Sequence, residues 1–245
     1  MEFDYIQQGD CFELIKRVPD KSIDMILCDL PYGSTRNNWD VTLPFDELWK
    51  EWKRVIKENG AIVLFSQFPF TAELILSNKS WFRYEWIWEK TKATGHLNAK
   101  KMPLKKHENI LVFYKKLPVF HPQGLIKKPH PTIRKGTNNG TNYGKSDKDA
   151  IQEYENYPVD ILRFQSVAKP IHPTQKPVDL LEYLIKTYTN EGDVILDSCM
   201  GSGSTCVAAV NTNRHYIGFE LNNMYFDLAC MRLDEVEGDN NVSAV

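Results

Sequence analysis

The chain has 245 residues, 42% apolar and 25% charged, with 13 glycines and 13 prolines and a formal net charge of −2. That is globular composition, and the longest uninterrupted apolar runs, such as Ala61–Phe65, fall far short of the ~20 residues that span a bilayer. The start, MEFDYIQQGD, is acidic and polar, unlike a secretory signal, and cysteines 11, 28, 199, 206 and 230 form no CxxC pair. A reducing cytoplasm is the expected compartment, with neither a zinc site nor a disulfide framework.

Taken in chain order, short apolar runs predict buried strands at 24–28, 61–66, 85–88, 110–114, 194–196 and 216–219, with a weaker seventh at 3–7. Between them lie helical patterns. Phe45, Leu48, Trp49, Trp52, Val55 and Ile56 repeat at helical spacing, with Pro44 suited to the first turn and Gly60 just past the end. Val178, Leu181, Leu184, Ile185 and Tyr188 repeat it after Pro177, and 205–210 and 225–233 are shorter candidates. Strands alternating with helices predict an α/β fold, a doubly wound and mostly parallel sheet of seven strands. Residues 117–170 break the pattern. They are rich in Pro, Gly, Asn and Lys and carry few periodic hydrophobes, so they read as a long insertion or an irregular subdomain between a body of 1–116 and 171–245.

Charge is segregated along the chain. Residues 90–135 hold twelve Lys and Arg against a single acid, Glu108, a local charge of +11, which leaves −13 on the remainder. A basic block inside an acidic body points to a nucleic-acid face on a separately built core. A solvated lysine-rich surface explains the block equally well.

Three predicted strands end in an acid: Asp29, Asp197 and Glu220. Ligands of open parallel sheets bind outside the carboxyl ends of the strands, so these acids converge on one site if their strands are neighbours. After Asp197 comes Ser-Cys-Met-Gly201-Ser202-Gly203-Ser-Thr and then a helix, a GxGxxC pattern without the Lys-Ser/Thr of a phosphate-binding loop. Glu220, about 20 residues beyond the glycines, is spaced to accept from ribose hydroxyls, which points to an adenosine-type cofactor. In Asp29-Leu30-Pro31-Tyr32-Gly33, Pro31 pushes Leu30 toward an extended conformation. The Asp29 carboxylate and the Leu30 carbonyl then offer two acceptors beside the Tyr32 ring, a set that suits a planar substrate bearing an NH2 group. A plain strand-to-turn signal is the competing reading.

Asp29-Leu30-Pro31-Tyr32 resembles the D-P-P-Y motif of the DNA amino-methyltransferases, which use S-adenosylmethionine. The resemblance extends over residues 9–220. Gly9-Asp10 is similar to the family's G-D element, and Trp88–Lys90, Asn98–Lys101 and His107–Tyr114 to its middle segments. His172–Pro177 is similar to its H-P-T-Q-K-P, and Asp197–Gly203 to its cofactor loop. The D-P-P-Y-like motif precedes the basic insertion and the cofactor loop follows it, which resembles the β arrangement. Gly33–Asp40 is similar to phage and prophage members. Two departures stand out: Leu30 replaces a proline while keeping its carbonyl, and Cys199 and Met200 replace a Phe-containing turn.

The resemblance implies a Rossmann-like methyltransferase fold and a site-specific enzyme acting on double-stranded DNA, with 117–170 as the target-recognition region. It implies Asp29, Leu30, Pro31 and Tyr32 as the catalytic set, holding the amino group of a flipped base, with Asp29 also a cofactor contact. It places Glu220 at the cofactor ribose, Gly201, Ser202 and Gly203 beside its methionine portion, Asp10 near its adenine and Asp197 near its amino-acid end. Lys176 either pairs with the cofactor carboxylate or is solvated at a helix start. Lys100, Lys101, Lys105 and Lys106 are the expected phosphate contacts, His107 and His172 are structural or DNA-proximal, and no metal is expected. Asp at the first motif position favours adenine, since cytosine-directed relatives usually begin with Ser. A homodimer is a family-level expectation. The alternatives are a cytosine 4-amino, RNA or protein-glutamine methyltransferase, a catalytically inactive DNA-binding relative and, more distantly, a nicotinamide-binding oxidoreductase.

Overall fold

The computed structural model of the protein describes residues 3–33, 41–141, 144–146 and 148–243. The Gly33–Asp40 resemblance therefore lies, beyond Gly33, outside the described residues. The elements in order are β1 (Tyr5–Gln8), α1 (Cys11–Leu14), β2 (Ile23–Cys28), α2 (Phe45–Val55), β3 (Ile56–Ser66), α3 (Phe70–Ser77), β4 (Phe82–Thr94) and β5 (Lys105–Phe113). There follow β6 (Ile126–Arg134), β7 (Thr137–Thr141), β8 (Gly144–Ser146), β9 (Ala150–Glu155), β10 (Ile161–Arg163), α4 (Val178–Tyr188), β11 (Val194–Asp197), α5 (Ser204–Asn211), β12 (His215–Glu220) and α6 (Asn223–Ser243).

The chain divides into two compact units, residues 1–121 with 160–245, and 122–159. The first is built on an eight-stranded sheet of order β1-β12-β11-β2-β3-β5-β4-β10. All seven expected strands are in it. β10, hidden in the Pro-rich stretch, adds an eighth by pairing parallel to β4 from Ile161↔Ile87 to Arg163↔Glu89. Neighbours run parallel except around β5, which is antiparallel to both β3 and β4.

Helices cover both faces, as the near-continuous apolar strands require. Alternate residues of β2 point to opposite sides. Met25 and Leu27 share a core with Leu181, Leu184 and Ile185 of α4 and Ala208 and Ala209 of α5, whereas Ile26 and Cys28 pack with Leu48, Trp49 and Trp52 of α2. The periodicity of 45–56 is thus realised in α2, which presents Leu48, Trp49, Trp52 and Val55 to the core. Ile56 and Gly60 differ from expectation. The strand starts at Ile56, and the β2–β3 register jumps from Ile23↔Ile56 to Met25↔Ala61. Gly60 lies in that irregularity, where a Cβ would come within 2.7 Å of the Asp24 carbonyl oxygen.

The second unit is narrower than the expected 117–170. Residues 117–121 and 160–170 belong to the first unit, because β10 is held in the main sheet. Within 122–159, β6 pairs antiparallel with β9 from Ile126↔Glu155 to Arg134↔Ala150, and β7 with β8 at Thr137↔Ser146 and Thr141↔Gly144. Asn156, at φ +61°, closes the first ladder by donating its side-chain amide to the Gly124 carbonyl at 2.7 Å. The Asn/Gly-rich tract 136–146 therefore carries a strand pair, with residues 142 and 143 outside the described residues. No helix among the described residues is long and apolar enough to cross a membrane.

Gly218 in β12 tests how tightly the sheet is packed behind the loop that follows β11. A Cβ there would meet Met200 Sδ at 2.4 Å and Cys206 Sγ at 2.8 Å. Gly218→Ala is expected to destabilise the protein by ~1–3 kcal/mol through overpacking. Gly238→Ala in α6, where a Cβ meets nothing within 4 Å, is expected to stabilise it by ~0.5–1 kcal/mol. Denaturant melts of the two variants check the opposite signs.

Candidate functional site

β11 lies between β2 and β12, parallel to both, with Leu196 opposite Ile26 and Asp197 opposite Gly218. This order brings the three strand-end acids to one edge of the sheet. β1 joins the same edge: Gln8 is level with Glu220, and the Gly9 N–H donates to the Glu220 carbonyl at 2.9 Å. Asp10 follows as N-cap of α1, its Oδ1 accepting from the Phe12 N–H at 2.7 Å. Asp10, Asp29, Asp197 and Glu220 all line one cavity of about 1110 Å³. Leu30, Pro31, Tyr32, Lys176, Gly201 and Ser202 line it too. Gly203 does not. At φ +75° it is the N-cap of α5, and a Cβ on it would sit 3.0 Å from Ala229 Cβ, so it serves the turn and the approach of α6.

The loop between β11 and α5 is held from several sides. Asp197 Oδ1 accepts from the Cys199 N–H at 3.0 Å, and burial raises its carboxyl to about 6 against the opposing pull of Thr205 and Cys199. Gly201, at φ +55°, donates its N–H to Glu220 Oε2 at 2.9 Å, while the Asn222 N–H donates to Oε1 at 2.7 Å. Burial likewise raises the Glu220 carboxyl. Met200, one of the two departures in this loop, is buried against Gly218 and Cys206 and supplies the packing for the turn. Arg232 of α6 donates to the Ser202 carbonyl at 2.6 Å. The Gly201 conformation, the acids beside it and the volume of the cavity fit an adenosine-type ligand bearing hydroxyls and an ammonium group.

Asp29 stands at the centre. Tyr32 donates its hydroxyl to Asp29 Oδ1 at 2.6 Å, and Lys176 forms an ion pair with Oδ2. One face of the Tyr32 ring stacks on Phe70 at 5.0 Å and 28°. The Leu30 side chain is in the core. Lys176 is not solvated, as one expectation had it: only 7% of its side chain is accessible, and it lies over the Phe65 ring. Burial pushes its ammonium down, but Asp29 and Glu108 outweigh that and hold its pKa above the lysine value. The Asp29 carboxyl is raised by burial, with Lys176 opposing.

Sequence reasoning missed Glu108 and Lys90. Glu108, 8% accessible, pairs with Lys90 and lies 3.5 Å from Lys176, and the Gln67 side-chain amide donates to its Oε1 at 3.3 Å. Burial raises the Glu108 carboxyl, and the two lysines outweigh it, so that it lies below the usual carboxylate range. One signal was present: Glu108 is the single acid among the basic residues of 90–135. His172 also lines the cavity, edge-on to Tyr225 at 4.1 Å, and burial lowers its pKa to about 4, so it is neutral at physiological pH. His107 is exposed.

The basic block is not one face. Lys100, Lys101, Lys105 and Lys106 are exposed on the cavity edge of the sheet, because Thr94, which lines the cavity, pairs with Lys105. Lys106 also pairs with Glu89 at 2.9 Å. Lys90 is inside the site. Lys115 and Lys116 pair with Glu58 at 3.1 and 3.2 Å, near the start of β3 and hence at the opposite edge. Lys127, Lys128, Arg134 and Lys135 belong to the second unit.

Asp197 carries a pH test. A carboxyl that ionises near 6 when folded and near 3.8 when unfolded favours the folded state below pH 4 and loses that advantage as pH rises through 6, a change of about 3 kcal/mol. Thermal melts of wild type and Asp197→Asn between pH 4 and 8 are expected to shift in favour of the variant by that order as pH rises. A constant difference across the range contradicts the assignment.

The sequence matches the N6/N4 methyltransferase family of DNA methylases over residues 23–231. It is 28% identical to the type II methyltransferase M.HinfI of Haemophilus influenzae, over 96% of this chain and 70% of that protein. Among solved structures, it resembles the M1.HpyAVI–SAM complex with a TM-score of 0.64, 24% identity and coverage of 93% of this chain and 98% of that one. It also resembles PvuII DNA methyltransferase, described as cytosine-N4-specific, with a TM-score of 0.68, 15% identity and coverage of 95% and 86%. With a methyltransferase sheet, acids converging on a cavity at its carboxyl edge and a family match over most of its length, the chain belongs to the N6/N4 family of DNA methyltransferases.

Proposed function

We propose that the protein is a site-specific DNA adenine methyltransferase that transfers a methyl group from S-adenosylmethionine to the 6-amino group of an adenine flipped out of the duplex. The observation that carries this reading is the position of Asp29. Its carboxylate stands in the same cavity as Asp10, Asp197, Gly201 and Glu220, beside Tyr32. Asp at this motif position favours adenine, and 4-amino transfer to cytosine is the second reading because the family holds both activities.

S-adenosylmethionine supplies an electrophilic methyl group on a sulfonium, so no covalent enzyme intermediate is required. Glu220 would accept from the ribose hydroxyls and Asp197 would face the ammonium of the amino-acid end. Asp10 would border the adenine, and Gly201 and Ser202 would lie along the methionine portion. An aromatic amino group is a poor nucleophile because its lone pair is delocalised into the ring. Asp29 and the Leu30 carbonyl each accept one of its hydrogens, which favours a pyramidal nitrogen whose lone pair is aimed at the methyl carbon. Pro31 holds the Leu30 carbonyl in place, and the Tyr32 ring stacks on the base. The new N–C bond forms as the S–C bond breaks, and the methylated nitrogen then loses a proton to solvent.

Residues 122–159 act as the target-recognition unit, with Lys127 and Arg134 exposed and Lys128 half-buried on β6. Lys100, Lys101, Lys105 and Lys106 contact phosphates and set the position of the duplex without reading bases.

Labelled-methyl transfer on DNA followed by nucleoside analysis is expected to give 6-methyladenine; 4-methylcytosine as the product would select the second reading. Asp29→Ala is expected to reduce transfer to background, and retained turnover would remove Asp29 from its role. Neutralising Lys100, Lys101 and Lys105 together is expected to weaken DNA binding and to lower the slope of log affinity against log salt by about 1 per lysine. An unchanged slope would put the duplex on another face.

A further inference from the structure

In the proposed reaction Asp29 accepts a hydrogen from the target amino group, yet both of its oxygens are already engaged. Oδ1 accepts from the Tyr32 hydroxyl at 2.6 Å, and Oδ2 is paired with the Lys176 ammonium. Each oxygen keeps a second lone pair, but an ammonium on Oδ2 neutralises the charge that strengthens acceptance from the amino group and crowds its approach. Lys176 has a second carboxylate within reach. Glu108 Oε2 lies 3.5 Å from its Nζ, and this oxygen is buried with no hydrogen-bond partner among the described residues. Its ion pair with Lys176 is long, and a closer approach of that ammonium would give the buried oxygen a full hydrogen bond. The other side of Glu108 is held by Lys90 and by Gln67, so the carboxylate does not have to move.

The geometry points to Glu108 as a positioning residue that takes the Lys176 ammonium from Asp29 when the target base enters, leaving an Asp29 oxygen for the amino group. The inference rests on the reading that Asp29 holds that group. The transfer needs a displacement of under ~1 Å to bring 3.5 Å to hydrogen-bond distance. No proton changes hands. The ammonium passes from one carboxyl group of the buried wall to another, so the shift adds no charge to that wall.

Glu108→Gln keeps the shape and removes the charge. It is expected to lower kcat for DNA methylation about tenfold or more, with methyl-donor affinity by calorimetry unchanged. The same substitution also deprives Lys90 of its partner, so the double variant Glu108→Gln/Lys90→Met, which restores charge balance, separates the two roles. A double variant that remains as slow as the single one supports the inference. Recovery of wild-type kcat in the double variant overturns it, as does a single variant with unimpaired kcat. A wild-type protein that methylates no amino group in DNA overturns the functional reading itself and this inference with it. Where the variants do not fold, a structure of the wild-type protein with substrate DNA and an unreactive donor analogue decides. Lys176 Nζ within about 3 Å of Glu108 Oε2 is the expected result, and Lys176 still on Asp29 overturns it.

Discussion

The parallel ladder β12-β11-β2 is the constraint on which the site depends. A parallel strand pair keeps like ends together, so acids that close three such strands must meet at one edge. Asp197 opposite Gly218 and Leu196 opposite Ile26 set the level of each strand. A slip of one residue along β11 would turn Ile195 and Leu196 onto the wrong helical layers. The apolar packing that holds the sheet between its helices is thus also what aligns the carboxylates.

Within that frame, the wall behind Asp29 is unusual for a protein interior. Four ionisable groups, Asp29, Lys176, Glu108 and Lys90, are gathered where the surrounding residues include Phe65 and Trp88. Such clusters contribute little net stability compared with apolar packing, and removing one partner commonly costs ~3–5 kcal/mol because a charge is left buried alone. Their presence in the lining of the cavity is better explained by chemistry: burial raises the Asp29 carboxyl, and the Lys176 ammonium opposes that rise.

The distribution of lysines follows from the same topology. β5 runs antiparallel to its neighbours, so one end of it reaches the cavity edge and the other the far edge. Lysines adjacent in sequence to the two ends are accordingly placed at opposite sides of the sheet, Lys105 and Lys106 at one and Lys115 and Lys116 at the other. The near-neutral chain is a sum over an acidic sheet edge and several separate basic groups.

Apolar runs and helical spacing were enough to locate seven strands of the main sheet and helices α2, α4, α5 and α6, because those patterns are local consequences of burial. Asp29, Asp197 and Glu220 were legible for a related reason: each directly follows or closes such a run. β10 was not, since three residues flanked by turn-rich sequence carry too little periodicity, and neither was the short helix α3. The ion cluster was also hidden. Lys90, Glu108 and Lys176 are far apart in sequence and look like surface charges there, and what buries them is the folding of β4, β5 and the segment before α4 around one cavity. Local pattern was sufficient for most elements of the main sheet, for the strand-end acids and for the family to which the chain belongs. Which charges leave water is set by the fold, because burial depends on strand order and register, which are relations between distant segments.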